Sequence, residues 1–153
     1  MPGGALCDVY VSAAQDLWQY HTVISAAETH STAMKGRTFV AQYAYNATGG
    51  SGRTPHGADV AAIFGRMPDI PIHKKGSDFE GITSIVQSCF ASFARAGDPS
   101  TDLAPFVPYD KESRRMTVLD SPASGSGCKI VDTWTNRDAI YRDMLAAIRA
   151  AEG

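Results

Sequence analysis

Between Asp8 and Thr32 the apolar residues Val9, Ala13, Leu17, Tyr20, Val23, Ile24 and Ala27 recur at three- and four-residue steps. That spacing predicts an amphipathic helix, and Gly36 marks its end. From Thr38 to Tyr45, aromatic and β-branched residues partly alternate with polar ones, the best strand pattern in the chain. The run from Asn46 to Pro55 is rich in glycine, serine and proline and disfavours any regular element, so His56 is expected on a loop. A short helix over Ala58–Gly65 follows, with Val60, Ile63 and Phe64 able to bury one side. Pro68 and Pro71 then keep Met67–His73 irregular.

Ser77-Asp78-Phe79-Glu80 has the spacing of a capping box and opens the strongest helical pattern. Ile82, Ile85, Val86, Cys89, Phe90 and Phe93 fall on one of its faces. Gly97 can close this helix in a left-handed conformation, and Asp98-Pro99 forbids continuation. A proline-rich connection over Pro99–Pro108 leads to a short strand at Arg115–Leu119, a loop at Ser121–Gly127 and a last helix over about Asn136–Glu152. Two or three strands set among four helices make an α/β chain. A mostly parallel sheet with flanking helices is expected, of which these strands supply one edge.

With 44% hydrophobic and 20% charged residues, the composition is that of a globular chain and not of a disordered or membrane-spanning one. A formal net charge of -2 offers no basic stripe for nucleic acid or an anionic membrane, so neither is expected as a partner. His73-Lys74-Lys75 is too short to count as one. Cys7, Cys89 and Cys128 are odd in number and widely spaced, which excludes a disulfide framework and a zinc ribbon. Cys89 reads as a small core residue. His21 and His30 lack ligand spacing, so no metal or other cofactor is expected. The start of the chain has no secretory signal pattern, and Asn46-Ala47-Thr48 is a glycosylation triplet of the kind that arises by chance.

The chemistry is concentrated in Thr54-Pro55-His56-Gly57-Ala58-Asp59-Val60-Ala61-Ala62-Ile63-Phe64-Gly65, a histidine at the tip of a loop with an apolar helix behind it. This segment, with Phe93-Ala94-Arg95-Ala96-Gly97-Asp98-Pro99 and the Pro108-Tyr109 pair, resembles the C-terminal portion of type-B carboxylesterases, the cholinesterase-like branch of the α/β-hydrolases. The matching positions are His56, Gly57, Asp59, Phe64 and Gly65, then Phe93 to Pro99. One departure is Phe106-Val107-Pro108-Tyr109, where the family usually has Trp-Pro before the tyrosine.

The resemblance implies that the chain is the C-terminal part of an α/β-hydrolase fold, an incomplete domain whose catalytic residue is His56. In that family the order of the triad is serine, acid, histidine. The nucleophile elbow Gly-x-Ser-x-Gly occurs nowhere in this chain; neither Gly50-Ser51-Gly52 nor Ser124-Gly125-Ser126-Gly127 has its spacing. The implied substrate is a small ester, turned over only with an upstream part that supplies serine, acid and oxyanion loop, so the chain alone is expected to be inactive. Asp59 reads as a helix-start residue. The alternative is a non-catalytic cholinesterase-like binding or adhesion module. Missing neighbouring strands also imply an exposed sheet edge.

Overall fold

Parallel pairing of two short strands frames the chain. In the computed structural model, which describes residues 14, 21–45, 54, 56–66, 78–124, 127–133, 143, 146 and 150, strand β1 (Ala41–Tyr43) lies beside β2 (Arg115–Leu119). Ala41 sits opposite Thr117, and Tyr43 opposite Leu119. The ladder extends past β1 at both ends: the Thr117 amide donates to the Val40 carbonyl at 2.9 Å, and the Ala44 amide to the Leu119 carbonyl at 2.9 Å. A third strand, β3 (Lys129–Asp132), pairs antiparallel with the other edge of β2, which gives the order β1-β2-β3.

The sheet is therefore mixed, whereas a mostly parallel one was expected. Strand β3 follows β2 after a short connection holding the 3-10 turn Pro122–Ser124, and so short a link can return only antiparallel. The strand expected at Arg115–Leu119 is found with those bounds. The pattern over Thr38–Tyr45 forms ladder only at Ala41–Tyr43, its flanks being extended chain.

Register decides which helix each strand residue faces. Val40 and Met116, on one face, pack with Tyr109 and with Ile24 and Ala27 of helix α1 (His21–Ala33). On the opposite face, Tyr43, Tyr45 and Leu119 join Ala61 and Ala62 of α2 (Ala58–Phe64) and Ile82, Ile85, Val86 and Cys89 of α3 (Phe79–Ala96). The sheet thus lies between helical layers, as its two apolar faces require. Burying each large aliphatic side chain of α3 contributes about 1.5–3 kcal/mol.

Several details differ from the sequence expectation. Asp78 is the N-cap of α3, and its side chain makes no cap hydrogen bond; Ser77 lies outside the described residues. The buried stripe of α3 is Phe79, Ile82, Ile85, Val86 and Cys89, while Phe90 and Phe93 are about half exposed. Phe93 meets Phe39 edge-on at a centroid distance of 6.1 Å. In α2 the buried residues are Ala61 and Ala62, whereas Val60 and Phe64 face solvent. The small alanines allow α2 to approach α3 closely, which larger side chains would prevent. Gly97 closes α3 at φ 72° and donates to the Phe93 carbonyl at 2.8 Å, as expected. The expected helix before residue 21 and the last helix over Asn136–Glu152 lie outside the described residues, apart from Ala14, Asp143, Ala146 and Ala150, each helical.

Two polar links fasten α1 to the sheet layer. The His30 Nδ1 and Thr38 Oγ1 atoms are hydrogen-bonded at 2.7 Å. The Arg114 guanidinium lies 3.3 Å from the Glu28 carboxylate, with the two side chains only 10% and 20% exposed. Arg114 also holds a left-handed φ of 47°, imposed by the turn in which its amide donates to the Asp110 carbonyl. Removing one member of a buried ion pair costs roughly 3–5 kcal/mol, and the left-handed conformation costs a non-glycine residue roughly 1–2 kcal/mol. Arg114→Ala should accordingly lower stability by about 3 kcal/mol. Arg114→Gly should lose about 1 kcal/mol less, because the strain is relieved. Urea denaturation measures both; equal losses would show that the left-handed strain is not felt.

Candidate functional site

His56 begins the turn that leads into α2, and its side chain is exposed. Gly57 is the helix N-cap at φ 77°, a left-handed value that an L side chain rarely adopts. Its carbonyl accepts the Val60 amide at 3.1 Å. Upstream, the Thr54 hydroxyl donates to the Tyr45 carbonyl at 3.2 Å, which ties the approach to the turn to the chain just beyond β1. His56 is thus presented past the carboxyl end of a parallel strand, where open α/β sheets bind their ligands.

The two tyrosines at the end of β1 and just beyond it belong to the core that the sheet forms with α2 and α3. Tyr43 and Tyr45 pack edge to face with centroids 6.3 Å apart. Burial raises the Tyr43 phenol above its ordinary value, with further upward pressure from Tyr45, Asp59 and Asp120. Burial also raises Tyr45, against a hydrogen bond from the Asp78 backbone amide. Both hydroxyls therefore stay protonated. Asp59 occupies the exposed first turn of α2, as expected, within electrostatic range of Tyr43.

Asp78 is the junction of this region. Its carboxylate accepts the hydroxyl of Ser121, which is 2% exposed, and the Ser121 oxygen in turn accepts the Ala123 amide at 3.0 Å. This latch joins the start of α3 to the exit of β2. Asp78 and Ser121 lie far apart in the chain, so no local motif could have paired them. Gly81 makes room for the latch, since a Cβ there would collide with the Asp78 carboxylate.

Other candidates have structural surroundings. Burial raises the thiol of Cys89, opposed by a Thr101 side-chain hydrogen bond, and burial likewise raises Cys128, whose Sγ donates to the Asp120 carbonyl at 3.5 Å. Both are free thiols, and neither is activated as a nucleophile. His30 is engaged with Thr38. Among the described residues no group of three or more His, Cys, Asp or Glu could hold a metal ion, and no helix is long and apolar enough to cross a membrane. Cys7, Asn46, Ser51, and His73 with its lysines lie outside the described residues.

The fold has counterparts among solved structures. A PNB esterase superposes with a TM-score of 0.51 at 18% identity, over 67% of this chain and 20% of its own. Carboxylesterase EST55 of Geobacillus stearothermophilus superposes with a TM-score of 0.56 at 19% identity, over 75% of this chain and 24% of its own. The likeness is one of fold. The small mixed sheet and its helices are consistent with a fragment of the α/β-hydrolase fold of these esterases, and the chain spans a fifth to a quarter of their length. No family model and no curated protein matches the sequence.

The latch makes a measurable demand on Gly81. Alanine is ordinarily about 1 kcal/mol better than glycine inside a helix. Here its methyl would push the Asp78 carboxylate off Ser121, so Gly81→Ala is expected to destabilise the protein. In an Asp78→Ala background the same change should be neutral or stabilising. Denaturation of the four proteins of this cycle tests the link, and an identical Gly81→Ala effect in both backgrounds would refute it.

Proposed function

We propose that this chain is the histidine-bearing C-terminal part of a serine carboxylic ester hydrolase, with His56 as the general base and acid of acyl transfer to water. The observation that carries this reading is the placement of the His56 turn beyond the carboxyl end of β1, in a sheet whose fold likeness is to carboxylesterases. The sequence agrees, with His56-Gly57-Ala58-Asp59 before an apolar helix ending at Phe64-Gly65.

The chemistry follows from imidazole. Attack of a serine hydroxyl on an ester carbonyl requires a base that takes its proton, and departure of the alcohol requires that proton back. Imidazole does both near neutral pH, and such transfer contributes on the order of 10²- to 10⁴-fold in rate. Gly57, in the left-handed conformation, turns the chain immediately after the histidine, and the Thr54 bond to Tyr45 anchors it before. Serine, acid and oxyanion donors come in this reading from a part of the enzyme outside this chain. Triad members act as a unit, so this polypeptide alone should not hydrolyse p-nitrophenyl esters.

A graft tests the role of His56. Residues 54–66 replace the aligned segment of carboxylesterase EST55, and the chimera is assayed on a p-nitrophenyl ester. Activity is expected, and His56→Ala in the chimera should reduce kcat by roughly 10⁴-fold or more with an unchanged melting temperature. A folded chimera that keeps its activity after His56→Ala would overturn the reading.

A further inference from the structure

No further inference is drawn: the strongest candidate, the free thiols of Cys89 on α3 and of Cys128 just before β3, carries nothing, because the two share only the apolar core on one side of the sheet and shared burial does not bring sulfur atoms to bonding distance.

Discussion

The pairing of β1 with β2 is the constraint on which the other features depend. Ala41 and Thr117 come from distant parts of the chain, and setting them side by side fixes the face that every neighbouring residue presents. Val40 and Met116 turn to α1, while Tyr43, Tyr45 and Leu119 turn to α2 and α3. A slip of one residue would invert this assignment, placing tyrosines against α1 and leaving the long apolar stripe of α3 without its cover. The chain between the two strands then has one task, which is to carry α2 and α3 across one face and return in a parallel direction.

The same pairing sets the stage for His56. Chain leaving β1 passes Tyr45, is tied by Thr54 and turns at His56-Gly57 into α2, while chain leaving β2 passes Asp120 and drops Ser121 onto Asp78. Both exits lie at the carboxyl end of the parallel pair. The Asp78 latch thereby ties the start of α3 to the exit of β2.

Local signals were legible in the sequence where local physics decides. The Arg115–Leu119 strand, the left-handed closure at Gly97 and the exposed His56 turn all follow from residue types within a few positions. What could not be read was tertiary. The burial of α2 through Ala61 and Ala62, in place of Val60 and Phe64, depends on how closely α3 approaches. Asp78 appeared as part of a capping box but serves Ser121, a partner distant in sequence, and Gly81 owes its place to that carboxylate. Strand β3 lacked a strong alternation of its own and exists because β2 offers it an edge. The turn at His56 was legible because its glycine and the helix behind it form a local pattern; the packing of Tyr43 and Tyr45 with α2 and α3 was not, because only the sheet assembles it.

The β1–β2 ladder frames the molecule, and amide hydrogen exchange followed by NMR tests it most directly. The Thr117 and Ala44 amides, which donate to Val40 and Leu119, should exchange slowly and at the rate of the best-protected amides of α3, as groups released only by global unfolding. Rapid exchange at Thr117 and Ala44 while α3 stays protected would show that the strands do not frame the molecule, and the placement of His56 would fall with them.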